Sequence, residues 1–141
     1  MANDHPAAWI IKSEPFKYSW ADLVRDGETV WDGVRNHQAA LYLKAMRLDD
    51  ECFFYHSNEG LEIVGIATVS ALAAPDPTDP TGRWVAPRVR PLRPLPRPVT
   101  LAAMKAEPRL AGMAMFRQFR LSVAPVTAPE RAVILELAGE S

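Results

Sequence analysis

Apolar residues recur along the chain in two patterns, short runs that indicate strands and a helical spacing that indicates helices. The runs AWIIKS, CFFYHS, LEIVGIATVSAL and RLSVAPV are typical of strands. The predicted strands span residues 8–13, 52–57, 61–72 and 120–126. Gly65 interrupts the third run, which predicts a β-bulge or the close approach of another group at that point.

Five segments carry helix signals. From Asn36 to Met46 the apolar residues fall at helical spacing, which makes this the strongest helix prediction. Ser19, Thr100 and Thr127 are predicted N-caps, and the last of them opens the capping box T-A-P-E. One short helix is expected after Ser19, and the others are expected at 36–46, 100–106, 112–118 and 127–137.

Residues 83–99, RWVAPRVRPLRPLPRPV, alternate apolar residues with arginine but are rich in proline. Because proline lacks the N–H that a paired strand donates, this segment predicts an edge strand that becomes extended coil. The order of elements is typical of an α+β fold. A curled sheet or small β-barrel at its centre, with helices packed around it, is the predicted architecture.

Length and composition suit one domain. The chain has 141 residues, of which 48% are hydrophobic, enough for a single core. We predict a flexible tail at 1–7 and one domain at 8–141. Cys52, the only cysteine, excludes an intramolecular disulfide and is expected to be buried in its strand. Without a signal peptide or a long apolar segment, the chain is expected to be soluble, cytoplasmic and free of membrane contact.

The small net charge of −1 hides an uneven distribution. Residues 1–82 hold 6 Lys/Arg and 13 Asp/Glu, whereas residues 83–120 hold 9 Lys/Arg and a single acid, Glu107. Arginine forks match phosphate oxygens, so this stretch could contact a nucleic-acid backbone. On charge alone, the favoured interpretation is a strand face whose arginines pair with acids elsewhere in the fold.

Motifs for catalysis or metal binding are not apparent. The three histidines have no spacing typical of a metal site, and Cys52 has no basic neighbour to activate it. The chain contains neither a nucleophile elbow nor a phosphate-binding glycine loop. We therefore expect no metal, no cofactor and no enzymatic activity.

Polar residues at the ends of the predicted strands are more informative, because such side chains line the mouth of a small barrel. Together with the start of the strongest helix, they supply an aromatic plane, cations, amides and a carboxylate. A flat heterocycle needs this mixture, with stacking on its face and hydrogen bonds on its edge. These residues are Lys12, Ser13, Glu14, Trp31, Arg35, Asn36, His56, Ser57, Arg120 and Ser122.

Each of these residues also has a purely structural interpretation. Trp31 could belong to the core, and Arg35 could pair with Asp32. Asn36 could serve simply as the cap of the following helix. His56 could serve as a structural hydrogen-bonding group. Composition and spacing leave these alternatives open.

The blocks WIIKSEP, YSWADL, WDGVRNHQA, FYHS, VGIATV and RLSV occur in this order and resemble the signature blocks of the EVE domain. That family is PUA-like and related to YTH domains, and the resemblance extends from about Trp9 to about Leu137. It implies a PUA-like curled β-barrel surrounded by helices. One position departs from the pattern, since Ala40 stands where the family block has arginine.

The resemblance also implies a function. It indicates a non-catalytic reader of modified bases in nucleic acid, above all modified cytosine or adenine in DNA, with the base flipped into a pocket. Matching motif positions add Leu121 to the ten polar and aromatic pocket residues above. The basic run would then contact the phosphate backbone through Arg83, Trp84, Arg88, Arg90, Arg93 and Arg97.

Three alternatives to a monomeric DNA reader remain at this point. The protein could read modified RNA instead of DNA. It could be a small enzyme acting on bases or nucleosides, with Glu14 and His56 as an acid–base pair. It could also be a protein–protein adaptor that docks through the proline-rich edge at 87–98.

Overall fold

The structure is a computed structural model that describes residues 5–140. Six strands form one sheet in the order β2-β5-β4-β3-β1-β6. The strands are β1 (Ala8–Ser13), β2 (Thr29–Val30), β3 (Glu51–His56), β4 (Glu62–Pro75), β5 (Val85–Thr100) and β6 (Val123–Val126). The α-helices are α1 (Trp20–Asp26), α2 (His37–Ala45), α3 (Leu101–Lys105), α4 (Ala114–Arg117) and α5 (Ala128–Leu137), with a 3-10 turn at Pro108–Leu110.

Strands β1 and β3 form the centre of the core. They pair in parallel, with Ser13 opposite His56 at their carboxyl ends. Successive residues of β1 belong to opposite hydrophobic clusters: Ile10 lies in one cluster, and Trp9 and Ile11 lie in the other. Because side chains alternate along a strand, both faces of this pair are buried, as is typical of parallel strands.

The helix-start signals of the sequence are confirmed. Ser19 and Thr127 each form the complete capping box with the residue three positions on. Asn36 caps α2 by accepting the N–H of Ala39, and Thr100 caps α3 by accepting the N–H of Ala103. Strand β2 was not predicted, because two residues cannot carry a periodic pattern.

For residues 83–99, the edge-strand part of the prediction is confirmed and the extended-coil part is wrong. Strand β5 continues to Thr100 and pairs with β4 over its length, with four shifts of register. On its other side it pairs only with the short β2, at Arg88 and Val89. Prolines are tolerated because most of this strand is a sheet edge, where a missing N–H breaks no ladder hydrogen bond.

The sheet is not closed into a barrel, which corrects the barrel part of the prediction. Strands β2 and β6 stand at opposite ends of the strand order. With two and four residues, they are too short to complete a ring of pairing. The mixture of strands and helices in an α+β arrangement is as predicted.

The expected tail, residues 1–7, lies partly outside the described residues. Within the described part, Nε2 of His5 lies 2.7 Å from Oδ2 of Asp50. The N–H of Ala7 donates to the carbonyl of Val126 at 3.0 Å. Across residues 5–140, no helix has the length and apolar character needed to cross a membrane.

Gly65 confirms both expectations for its position. The register of β4 with β5 shifts between Ile63 and Gly65. In addition, the ring of Trp20 on α1 packs directly on the glycine, and a Cβ added there would lie 2.5 Å from Cζ2 of the indole. The first helix is therefore seated against the backbone of β4.

We predict that Gly65→Ala destabilises the protein by about 1–3 kcal/mol, because the new methyl group forces the Trp20 ring away from the sheet. Thermal and urea unfolding measure the change. Gly112→Ala is the matched control, since a Cβ there would meet no atom within 4 Å. Equal stability of the two variants would contradict the prediction.

Candidate functional site

A cleft opens at the carboxyl end of β1, where two cavities adjoin. The first, of about 510 Å³ and called the Trp31 cavity, lies against residues 29–35. The second, of about 440 Å³ and called the Tyr55 cavity, is lined by Tyr55, Ser57, Asn58, Leu61, Phe119 and Arg120, among others. Both cavities are lined by Lys12, Ser13, Lys17 and Ser122. The end of β1, together with Lys17 and Ser122, therefore forms the common wall of one cleft.

Most of the predicted pocket residues meet in this cleft. Eight of the eleven line one or both cavities: Lys12, Ser13, Glu14, Trp31, Arg35, Ser57, Arg120 and Ser122. The other three lie elsewhere. Asn36 is the exposed cap of α2, Leu121 belongs to the core and His56 supports α1 from behind the cleft.

Trp31 is a wall of the cleft and also part of the core. Its side chain is only 8% exposed and packs edge-on against Phe54, with ring centroids 5.6 Å apart. Val30 and Val34 line the same cavity. The indole therefore provides an apolar boundary beside the cavity, and its ring is fixed by core packing.

Arg35 is fixed by a buried carboxylate in the proline-rich loop and not by Asp32. Nη1 of Arg35 donates to Oδ2 of Asp76 at 2.9 Å, and Nη2 donates to Thr78 at 3.0 Å. The Asp76 side chain is fully buried and also accepts the N–H of Gly33 at 2.8 Å. Asp32 remains exposed at the Trp31 cavity.

The charge of Asp76 is stabilised by these donors. Burial alone would raise the pKa of this carboxyl, but hydrogen bonds from Thr78, Arg35 and Gly33 outweigh it and hold the pKa well below its usual range. The carboxylate consequently ties residues 33–35 to the loop that precedes β5. This contact sets the position of one wall of the cleft.

Lys12 is half-buried in the shared wall. Its Nζ donates to the carbonyl of Phe119 at 2.6 Å and lies 4.3 Å from the centroid of the Phe119 ring. Burial lowers the pKa of this ammonium. The lysine therefore brings a poorly solvated positive charge into the cleft without a carboxylate partner among the described residues.

His56 has a structural role. Its Nε2 accepts the N–H of Trp20, the first residue of α1, at 3.1 Å. Its ring also packs edge-on against Phe54. Burial lowers the pKa of this imidazole, and the nearby carboxylate of Glu62 only partly opposes the shift. The neutral ring that this hydrogen bond requires is therefore the favoured form at neutral pH.

The geometry does not favour Glu14 and His56 as an acid–base pair. The Glu14 carboxylate pairs with Lys17 at 2.9 Å, and His56 lines neither cavity. The accepting nitrogen of the imidazole is occupied by the first turn of α1. The two groups therefore do not face a common substrate position.

Most arginines of the basic run have partners within the fold. Arg88 pairs with Glu28 at 3.3 Å, Arg93 makes a two-pronged contact with Glu140, and Arg97 donates to the carbonyl of Leu137. Arg90 lies 4.0 Å from Asp49. These contacts favour the interpretation in which most of the arginines pair within the fold.

Two members of the run lie close to the cleft. The ring of Trp84 stacks obliquely on His37, with centroids 5.0 Å apart, and lies 6.0 Å from the guanidinium of Arg35. Arg83 is exposed, and its guanidinium has no partner within residues 5–140. Arg83 and Trp84 thus remain available beside the Arg35 wall.

Sequence reasoning missed several residues of the cleft. Tyr55 and Phe119 line the Tyr55 cavity, and Tyr18 and Asp32 line the Trp31 cavity. The signal was present for Tyr55, which stands inside the quoted block FYHS, and for Phe119, which directly precedes RLSV. Neither was selected, because an aromatic residue beside a strand is ordinarily core.

A larger cavity lies apart from this cleft. It measures about 580 Å³ and lies along β6, between α2 and the start of α5. Trp9 and Tyr42 form its aromatic wall, and none of the predicted site residues lines it. Size alone therefore does not identify the functional site.

Comparison with known proteins places the chain in a family. The family model described as the EVE domain matches residues 7–137. The chain belongs to the EVE domain family. Thymocyte nuclear protein 1 of Rattus norvegicus is 36% identical in a match that covers 92% of this chain and 72% of that protein. The Homo sapiens protein of the same name is 34% identical with the same coverage.

Solved structures of EVE relatives have the same fold. A protein from Rhodopseudomonas palustris, solved by NMR, superposes with a TM-score of 0.89 at 52% identity, covering 94% of this chain and 93% of that one. The human THYN1 protein, crystallised in complex with DNA containing 5-methylcytosine, gives 0.87 at 32% identity, covering 95% and 98%. The predicted PUA-like α+β class is thereby confirmed.

A more distant likeness concerns the fold alone. The ASCH protein of Zymomonas mobilis, solved as a point mutant, superposes with a TM-score of 0.59 at 14% identity, covering 93% of this chain and 98% of that one. It shares the architecture and carries no argument about the chemistry of the cleft.

We predict that Asp76→Asn lowers the free energy of unfolding by roughly 1–3 kcal/mol, because the neutral amide cannot replace the charged acceptor of Arg35, Gly33 and Thr78. Urea titration measures the difference. Asp32→Asn is the matched control, and as an exposed side chain it should change stability by less than about 0.5 kcal/mol. The reverse order of effects would mean that Asp32 is the true partner of Arg35.

We predict that His56 makes stability fall as pH decreases below its unfolded pKa of 6.5. Because the pKa is lower in the folded state, the unfolded chain binds more protons between the two values, so acidification favours unfolding. His56→Gln keeps an acceptor for the Trp20 N–H without titrating. Melting curves from about pH 5 to pH 8 should therefore fall less steeply for the variant than for the wild type. Parallel curves would refute this role.

Proposed function

We propose that the protein is a non-catalytic reader that binds a modified cytosine in DNA, with the base flipped out of the stack into the Trp31 cavity. The observation that carries the proposal is the likeness to human THYN1 protein, which was crystallised with DNA containing 5-methylcytosine. That relative is 32% identical over 95% of this chain. The proposal extends its ligand to the cleft described above.

The residues of the Trp31 cavity suit cytosine. The Asp32 carboxylate is exposed there without a side-chain partner within residues 5–140, and a carboxylate can accept the exocyclic amine of cytosine. Val30, Trp31 and Val34 supply apolar surface for a 5-methyl group. Ser122 adds a hydroxyl that has no partner within residues 5–140.

Flipping costs a few kcal/mol in matched duplex and less where the base is mismatched or already single-stranded. We therefore expect the protein to bind modified single strands and mismatched sites more tightly than matched duplex. We further propose that the protein acts as a monomer and without a cofactor. A location in the cytoplasm stays a prediction from the sequence, and the curated relatives carry the name of a nuclear protein.

We predict that fluorescence anisotropy gives tighter binding to single-stranded oligonucleotides containing 5-methylcytosine than to the same strands with cytosine. Strands with 5-hydroxymethylcytosine and N6-methyladenine, and RNA of the same sequence, identify the preferred modification and polymer. Each affinity is measured at two salt concentrations, because attraction to the phosphate backbone weakens with salt, whereas a preference for the modified base should persist. Equal affinity for all strands at both salt concentrations would overturn the proposal.

Asp32→Ala tests the pocket itself. We predict that it weakens binding to the modified strand by about tenfold or more, since a base-edge hydrogen bond is worth roughly 1–3 kcal/mol of discrimination. Asp49→Ala is the matched control, an exposed acid outside the cleft. Equal losses in the two variants would assign the effect to general charge and not to the cavity.

A further inference from the structure

The Tyr55 cavity contains an unusual buried group. Tyr55 lines the cavity but is only 1% exposed. Its hydroxyl is buried and has no hydrogen-bond partner within residues 5–140. A buried hydroxyl without a partner is unfavourable compared with a phenyl ring of the same shape. An acceptor supplied by a ligand in this cavity would satisfy the hydroxyl.

Further hydroxyl groups surround the same space. Ser57 and Ser122 line the cavity, and their side chains make no hydrogen bond within the described chain. The hydroxyl of Ser13 is occupied, because it donates to the carbonyl of Tyr18 at 2.6 Å. Two serines and one tyrosine therefore offer O–H donors to a single cavity.

The charge of this cavity is positive. Lys12, Lys17 and Arg120 line it, and the single acid among its lining residues is Glu14, which pairs with Lys17 at 2.9 Å. Lys12 donates only to a backbone carbonyl. Arg120 is exposed, and its guanidinium has no partner among residues 5–140. Two cations thus face the cavity without a protein carboxylate.

We propose that the Tyr55 cavity is a phosphate subsite, so that the cleft binds a nucleotide with its base in the Trp31 cavity and a phosphate beside Tyr55. Hydroxyl donors together with uncompensated cations are the chemistry that recognises phosphate oxygens. Lys12 and Ser13 belong to both cavities, which places the two subsites side by side. The assignment of the base rests on the proposed function, whereas phosphate binding does not.

The test uses the full chain and small ligands. Inorganic phosphate is titrated while the amide signals of Ser57, Arg120 and Ser122 are followed by NMR. Calorimetry then compares 5-methyl-2′-deoxycytidine with its 3′- and 5′-monophosphates. Tyr55→Phe removes the hydroxyl and keeps the ring, and Tyr42→Phe in the cavity along β6 is the matched control.

The expected result is a shift of these amide signals with phosphate, and tighter binding of one monophosphate than of the nucleoside. Tyr55→Phe should reduce the affinity difference between monophosphate and nucleoside by about tenfold and keep the wild-type melting temperature. Tyr42→Phe should leave that affinity difference unchanged. Because the Tyr55 hydroxyl has no structural partner within the described residues, loss of the gain in a folded variant assigns it to the ligand.

The two proposals fail separately. If nucleoside and monophosphates bind alike while 5-methylcytosine is still preferred over cytosine, the phosphate subsite is overturned and the proposed function stands. If phosphate shifts the cavity signals but modified and unmodified bases bind alike, the proposed function is overturned and the subsite stands. A gain that persists in Tyr55→Phe would also overturn the subsite.

Discussion

The parallel pairing of β1 with β3 is the constraint on which the rest of the structure depends. Both faces of this pair are buried, so its register cannot slip without moving Trp9 or Phe54 to the wrong side of the sheet. The same register sets Ser13 opposite His56 and lets the N–H of Ser57 donate to the carbonyl of Ser13 at 2.9 Å. Packing in the core thereby fixes where the polar ends of both strands lie.

A second constraint comes from the buried carboxylate of Asp76. Residues 31–35 form no long element of secondary structure, and their hydrogen bonds to Asp76 tie them to a segment more than forty residues away in sequence. A buried carboxylate is stable only when hydrogen-bond donors surround it, so the hydrogen bonds to Asp76 depend on one another. It holds the loop wall of the Trp31 cavity by contacts within the protein alone.

Local signals in the sequence were enough to predict most elements and the caps of α1, α2, α3 and α5. Strand ends and the W-D-G-V-R block also predicted eight residues of the cleft.

Partners distant in sequence could not be predicted. Arg35 has an acid three residues away, yet it pairs with Asp76 because the fold buries that carboxylate beside it. The prolines of residues 83–99 suggested coil because they lack the N–H that strand pairing uses. The sequence does not reveal that one side of this long strand is left largely unpaired, where prolines are tolerated. His56 looked like a pocket residue, but a polar side chain at a strand end can serve a neighbouring helix as readily as a ligand.

The distribution of free charge links the fold to the mode of binding. Along β5, Arg88 and Arg93 pair with Glu28 and Glu140, so these two charges are compensated within the fold, whereas Arg97 donates only to the carbonyl of Leu137. Of the cations that line the cleft, Lys12 and Arg120 have no carboxylate partner among residues 5–140. Since salt-dependent affinity scales with the number of phosphates neutralised, few contacts mean a shallow dependence on salt. Where few phosphates are neutralised, affinity has to come mainly from base contacts, which is the arrangement that we propose for the cleft of this protein.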